Sequence, residues 1–183
     1  MAKTEKKVSN KTVGIRAVLS ADRIMSNSSS AFQLQDSSRF GERSEGKVKY
    51  SFLEALYLMD RGKLELMRGK KKLSKDKFIE EGAEREPNFL NKYRVFSDLR
   101  DRGYVVKTAL KFGAEFRVYE KGIRPGEDHA KWIVFPVYES AGFTWHDFAA
   151  KNRVAHSTKK NLLIAIVDDE GDVTYYEIKW LKP

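Results

Sequence analysis

The sequence predicts a mixed α+β fold in two halves, and three observations carry that reading. Short apolar runs with a period of two alternate with longer stretches whose apolar residues recur every three or four positions, the patterns of half-buried strands and amphipathic helices. The longest apolar runs, Leu162 to Val167 and Trp132 to Val137, fall far short of the ~20 residues that a membrane-spanning helix needs. Near the middle, Glu84 to Pro87 breaks the helical pattern, because proline restricts the residue before it, and this sets a boundary between residues 1–88 and 89–183. With 41% hydrophobic and 12% aromatic residues, a chain of 183 residues can bury a core, which excludes a disordered chain.

Taken in order, Val13 to Leu19 predicts a strand, and the serine-rich stretch Ser26 to Ser30 a loop. Phe52, Leu53, Ala55, Leu56, Leu58 and Met59 keep helical spacing, and Gly62 stands where a C-terminal cap belongs. Lys63 to Met67 alternates like a strand. Arg68, Lys70, Lys71, Lys72, Lys75 and Lys77, against Asp76 alone, read as a solvated connection, within which Ser74 caps a helix reaching about Ala83. Phe89, Tyr93, Val95, Phe96 and Leu99 mark the next helical face, Gly103 ends it, and Tyr104 to Thr108 follows as a strand. Leu58 to Glu65 and Leu99 to Val106 therefore read as two copies of one helix-to-strand device, from duplication or from shared cap chemistry. Strands at Phe116 to Tyr119 and Lys131 to Tyr138 flank a loop from Gly122 to Asp128. Thr144 and Asp147 form a capping box for a helix to about Ser157. Leu162 to Asp168 is an apolar strand, Asp169 to Asp172 a tight turn, and Val173 to Trp180 the partner strand.

Composition narrows the chemistry. The absence of cysteine removes disulfides, thiolate zinc sites and cysteine nucleophiles and suits a reducing interior, while three histidines leave little for a histidine-rich metal site. No metal and no cofactor is expected. Met1 to Lys7 is polar and basic with no apolar segment behind it, so no secretory signal is read and a cytoplasmic address is the default, with no membrane partner. A net charge of +9 favours polyanion partners, nucleic acid above all. That charge is uneven. Lys151, Arg153, Lys159 and Lys160 crowd one segment without an acid, and Asp168, Asp169, Glu170 and Asp172 crowd the next turn. The Walker phosphate loop, the nucleophile elbow, the His-Glu-x-x-His zinc motif and the dinucleotide glycine fingerprint are all missing. What remains is positional. Tyr119 ends one strand, His129 opens the next, and Lys160 separates a basic helix from an apolar strand, so the three can share one corner of a sheet.

The run from Tyr104 to Gly122, then His129, then Arg153 to Lys160 and Leu162 to Asp168, resembles the archaeal tRNA-splicing endonucleases, and Phe52 to Leu58 extends the resemblance into the first half. The resemblance implies a small N-terminal domain of helices and antiparallel strands (1–88). It also implies a C-terminal catalytic nuclease domain with a mixed central sheet flanked by helices (89–183). It implies that Tyr119, His129 and Lys160 form the active site, and that precursor tRNA is cut at a bulge-helix-bulge without a metal, leaving a 2′,3′-cyclic phosphate and a 5′-hydroxyl.

Those residue types suit that reaction. Attack of a ribose 2′-hydroxyl on the adjacent phosphorus needs a base, departure of the 5′-oxygen needs an acid, and the transition state gathers negative charge on phosphoryl oxygens. A histidine, which titrates near pH 6.5 when free, suits the acid; a lysine suits the cation; a tyrosine, titrating near pH 10 when free, serves as base only beside positive charge. The resemblance also implies that Arg153 stacks on a bulge base, with Lys159 beside it as an RNA contact. The companion stacking position falls near Tyr175. His156 and His146 read as structural and exposed, respectively. One Tyr, His and Lys set per chain implies a homotetramer, a dimer of dimers, in which the acidic turn of Asp168, Asp169, Glu170 and Asp172 docks into another subunit. The apolar strand from Val173 to Leu181 pairs with its copy. The alternatives are a non-catalytic RNA-positioning subunit of a heteromeric enzyme and a metal-dependent nuclease using Gly126 to Lys131.

Overall fold

The computed structural model describes residues 14–123, 125, 126 and 128–181. The basic segment Met1 to Lys7, and Val13 of the first expected strand, lie outside the described residues. In chain order the first half holds β1 (Ile15–Ser20), β2 (Arg23–Ser26), α1 (Ser29–Ser38), β3 (Glu42–Ser44), β4 (Lys47–Tyr50), α2 (Phe52–Asp60), β5 (Leu64–Arg68), β6 (Lys71–Lys72) and α3 (Lys75–Arg85). The second half follows with α4 (Phe89–Asp101), β7 (Val105–Thr108), a 3-10 turn (Leu110–Phe112), β8 (Phe116–Tyr119), β9 (Trp132–Tyr138), α5 (Trp145–Ser157), β10 (Asn161–Val167) and β11 (Val173–Ile178). Among the described residues no helix is long and apolar enough to cross a membrane.

Period-two burial drives the strands: Ile15, Ala17 and Leu19 of β1 are buried while Arg16, Val18 and Ser20 face out. The first sheet runs β3-β4-β2-β1-β5-β6. Four of its pairs are antiparallel, as expected of this half, and one is added in parallel: β1 with β5, Ile15 opposite Leu64. The connection between them holds β2, α1, β3, β4 and α2, long enough to return the chain in its starting direction. A correction concerns the serine stretch expected to be a loop. Ser28 accepts a hydrogen bond from the Ala31 backbone at 3.3 Å and caps α1, whose only fully buried residue is Ala31.

Caps set the other helix ends. Ser51 and Glu54 form a reciprocal capping box on α2, Ser74 caps α3, and Thr144 with Asp147 boxes the start of α5. Three helices end the same way. After α2, Lys63 donates back to the Leu58 carbonyl at 2.8 Å across the left-handed Gly62; after α4, Tyr104 donates to Leu99 at 3.0 Å across Gly103; after α5, Lys160 donates to Ala155 at 2.9 Å across Lys159. Each is a Schellman turn, in which a left-handed residue lets the next amide reach the carbonyl five back. The likeness of Leu58–Glu65 and Leu99–Val106 therefore includes one shared turn, which a further helix end uses with a different residue.

The second sheet runs β11-β10-β9-β8-β7, with β9 and β10 parallel across α5 and the rest antiparallel. Alternation along β10 divides its faces. Leu163, Ala165 and Val167 join the core that holds Val95, Phe96 and Leu99 of α4, whereas Leu162 and Ile164 pack with Ala155 of α5. The two sheets lie on either side of residue 88, yet a single core runs from Leu56 and Phe78 through Phe89 and Phe96 to Val134.

Polar links reinforce that junction. Buried Glu54 accepts from the Gly41 backbone at 2.9 Å, the Ser51 backbone at 3.0 Å and the Lys107 ammonium at 2.9 Å, and Lys107 also donates to the Gly41 carbonyl at 2.9 Å. Only glycine fits at position 41: φ is +72°, and a Cβ would lie 2.4 Å from the Val48 side chain. Arg61 clasps Asp101 through both carboxylate oxygens, and the Arg100 guanidinium lies 3.7 Å from the Phe40 ring centre.

Candidate active site

The directions of three adjacent strands assemble the site. β8 runs antiparallel to β9 and β9 parallel to β10, so the end of β8 and the starts of β9 and β10 share one edge of the sheet. Two rungs fix that edge: Lys131 donates to the Val118 carbonyl and Asn161 to the Lys131 carbonyl, each at 2.9 Å. Tyr119 stands one residue beyond Val118, Lys160 one before Asn161, and His129 two before Lys131. All three line a cleft of about 380 Å³, together with Arg117, Gly126, Asp128 and Ala130.

Each side chain is held differently. Tyr119 is only 4% exposed, whereas His129 is exposed and its backbone N–H donates to the Asp128 carboxylate at 2.6 Å. Lys160 is half-buried and donates to the Thr158 carbonyl at 2.7 Å. Burial first, and the neighbouring Arg117 guanidinium second, hold its ammonium below the ordinary lysine range. The Schellman turn at Lys159 (φ 56°) separates the two lysines: Lys160 enters the cleft wall, and Lys159 is exposed and outside it.

Sequence reasoning missed Arg117. Its signal lay in the alternation of β8, where Phe116 and Val118 join the core and Arg117 shares the other face with Tyr119.

Arg153 is exposed on α5 and lines a separate groove of about 740 Å³ with Phe148, Ala149, Asn152, His156, Ser157 and Trp180. His156 packs edge-on against Trp180, ring centres 4.7 Å apart, and Trp180 is 56% exposed. His146 is exposed at the start of α5. Tyr175 does not meet Arg153. It pairs with Ala165, whose side chain belongs to the α4 face, and its hydroxyl donates to Asp98 of α4 at 2.7 Å. Cross-strand partners share a face, so Tyr175 and α5 lie on opposite sides of the sheet. Two large aromatic side chains share the groove with Arg153: Phe148 of α5 and Trp180, which lies two residues beyond Ile178 of the α5 face.

At the far end of β10 the acidic residues form an ordered turn. Asp172 donates its backbone N–H to the Asp168 carboxylate at 2.8 Å, Tyr138 donates its hydroxyl to Asp169, and the Asp169 backbone donates to Glu139 at 3.1 Å. Asp169, Glu170 and Asp172 are exposed. Among the described residues, no three or more of His, Asp and Glu are grouped so as to hold a metal ion.

Two family descriptions match this chain: the tRNA intron endonuclease N-terminal domain over residues 15–79, and the tRNA intron endonuclease catalytic C-terminal domain over residues 89–175. The chain is 46% identical over 165 residues to the tRNA-splicing endonuclease of Thermococcus kodakarensis, covering 90% of this chain and 96% of that one. It is 44% identical over 153 residues to the tRNA-splicing endonuclease of Methanothermobacter thermautotrophicus (84% and 89%), and 40% identical over 173 residues to that of Pyrococcus furiosus (94% and 99%).

Proposed function

The chain belongs to the tRNA-intron endonuclease family and acts in tRNA intron cleavage, and from that premise we propose how it cuts. In this reading the substrate is a precursor tRNA folded as a bulge-helix-bulge at the intron boundary. The 2′-oxygen at the junction gives its proton to Tyr119 and attacks the adjacent phosphorus, and the bond from phosphorus to the 5′-oxygen breaks. That oxygen leaves with a proton from His129, producing a 2′,3′-cyclic phosphate and a 5′-hydroxyl. Lys160 offsets the charge that gathers on the phosphoryl oxygens.

The observation that supports this most is the convergence of Tyr119, His129 and Lys160 on one cleft from three strand ends. Arg117 and Lys160 line the same cleft as Tyr119. A complete set of base, acid and cation also favours a catalytic subunit over an RNA-positioning one. On the outer face of α5, Arg153 and Trp180 are the pair suited to holding an unstacked bulge base between guanidinium and indole. Four chains form the working enzyme, a dimer of dimers built through the acidic turns and the β11 edges, with residues 1–88 and 89–183 as the domains of each subunit.

The test is cleavage of a bulge-helix-bulge RNA in excess EDTA, followed by end-group analysis. The expected result is undiminished cutting with a cyclic phosphate at the 3′ end. Loss of cutting in EDTA, or a 3′-hydroxyl product, rejects the mechanism.

A further inference from the structure

We propose that Arg117 is a second anion-holding residue of the cleft, taking a non-bridging oxygen of the scissile phosphate. This rests on the reading of the Tyr119, His129 and Lys160 cleft as the cutting site.

Four observations converge on it. Arg117 and Tyr119 occupy the same face of β8, two residues apart, and both line the cleft. The Arg117 Nε is shut off from solvent and has no hydrogen-bond partner, an unusual state for a donor, because a buried unsatisfied N–H is destabilising. The strand neighbours give it no counter-charge. Directly opposite on β9 is Ile133, and opposite on β7 is Lys107, whose ammonium is already engaged by Glu54 and the Gly41 carbonyl. Among the described residues no carboxylate forms an ion pair with Arg117. Finally, the guanidinium raises the positive potential at Lys160, whose proton it makes easier to lose. A half-buried guanidinium with no carboxylate paired to it among the described residues is stabilised by an arriving anion.

The chemistry of the group suits a phosphate. The two terminal nitrogens of a guanidinium are fixed in one plane and can converge on a single phosphate oxygen in a set orientation, which a lysine ammonium cannot reproduce. The same donors strengthen as the phosphorus becomes five-coordinate and its oxygens gain charge, so their effect falls on the rate of cutting more than on RNA affinity.

The experiment compares the whole wild-type protein with Arg117→Met, Arg117→Lys and His129→Ala in single-turnover cleavage of a bulge RNA. Rp and Sp phosphorothioates stand at the scissile phosphate, and binding is measured on the same RNA carrying a 2′-deoxy junction. The expected result is a loss of roughly 10²–10³-fold in rate for Arg117→Met, the size seen when one preorganised donor to a developing oxyanion is removed. The wild-type preference between the two diastereomers should collapse, while affinity for the deoxy RNA changes by less than about 10-fold. Arg117→Lys should keep the charge yet lose the diastereomer preference, and it decides the question if the Met variant does not fold. Cutting within about 3-fold of wild type with an unchanged diastereomer preference, in whichever variant folds, overturns the proposal. His129→Ala separates the two readings. If it is inactive while the Arg117 variants cut normally, Arg117 alone is misassigned; if it also cuts normally, the cleft is not the cutting site.

Discussion

Gly103 and Lys159 occupy the same place in two helix ends, each left-handed (φ 90° and 56°) and each followed by an amide that reaches back five residues, Tyr104 to Leu99 and Lys160 to Ala155. Glycine takes that conformation freely; a residue with a Cβ is strained there by about 1–2 kcal/mol. Lys159→Gly is therefore expected to stabilise the protein by about 1 kcal/mol, raising the melting temperature by about 2–4 °C for a chain of this size. Gly103→Ala should move it down. Differential scanning calorimetry checks both, and a Lys159→Gly melt at or below wild type would show that the turn carries no strain.

The Glu54–Lys107 pair is almost completely shielded from water. Lys107→Met leaves the Glu54 carboxylate buried without its cation, and breaking such a pair from one side is destabilising by about 3–5 kcal/mol. Denaturant titration should register that loss. Ser51→Ala, which removes only a cap on α2, should be milder at about 1 kcal/mol. Equal effects would mean that the pair adds nothing beyond the cap.

Three tyrosines make the fold sensitive to alkali. Burial first, and then Glu54 beside Tyr50, Asp60 bonded to Tyr93 and Asp98 bonded to Tyr175, push each hydroxyl above its ordinary range. In the unfolded chain a tyrosine titrates near pH 10. Their contribution to stability is thus fully present below about pH 10 and is lost as pH rises from there toward the higher folded values. Circular dichroism against pH, with phenolate absorbance recorded in parallel, should show unfolding and ionisation together above about pH 10. Ionisation of all eight tyrosines without unfolding would contradict the assignment.

Trp180 and Tyr175 should separate binding from stability. Removing the ring at Trp180→Ala is expected to weaken binding of bulge RNA by about 1–3 kcal/mol, the size of one base stack. Tyr175→Phe should leave RNA affinity alone and lower stability by about 1.5–3 kcal/mol through the lost bond to the Asp98 carboxylate. RNA titrations and melts on the two variants decide it; the reverse pattern would return the stacking role to Tyr175.

Replacing Asp168, Asp169, Glu170 and Asp172 together by Asn or Gln keeps the turn's shape but removes its charge. The expected outcome in light scattering is a fall from four chains to two at unchanged secondary structure. A persistent tetramer removes the docking role.

What could be read in the sequence was whatever is decided within a few residues. The capping box of Thr144 and Asp147, the glycines after α2 and α4, the alternation in β1 and the apolar run of β10 are local, and each appears in the structure. The helix α1 was hidden, because its residues Ser29 to Ser38 bury only Ala31 fully, so no apolar stripe marks it, and its cap Ser28 is one serine among several. The parallel pairing of β1 with β5 is not local either, since the direction of a strand depends on what connects it. The trio of Tyr119, His129 and Lys160 was legible as a set of strand ends. Arg117 was not, because alternation says only that it faces away from the core, and whether that side holds open solvent or a cleft depends on residues 129 and 160, far along the chain. That Tyr175 and Arg153 lie on opposite sides of the sheet was hidden for a related reason: the face a residue occupies follows from strand pairing, and Tyr175 pairs with Ala165 of the α4 face.

The rails β9 and β10 run in the same direction, so the second sheet has a beginning and an end that do different work. The cleft hangs from the beginning. The acidic turn, with Tyr138 and Glu139 beneath it, hangs from the end, about 23 Å away along seven residues of β10. A chain built this way can lengthen, shorten or recharge the connections at one end without disturbing groups at the other. In the proposed reading, the contacts of the acidic turn are thereby free to drift while the spacing of Tyr119, His129 and Lys160 stays fixed.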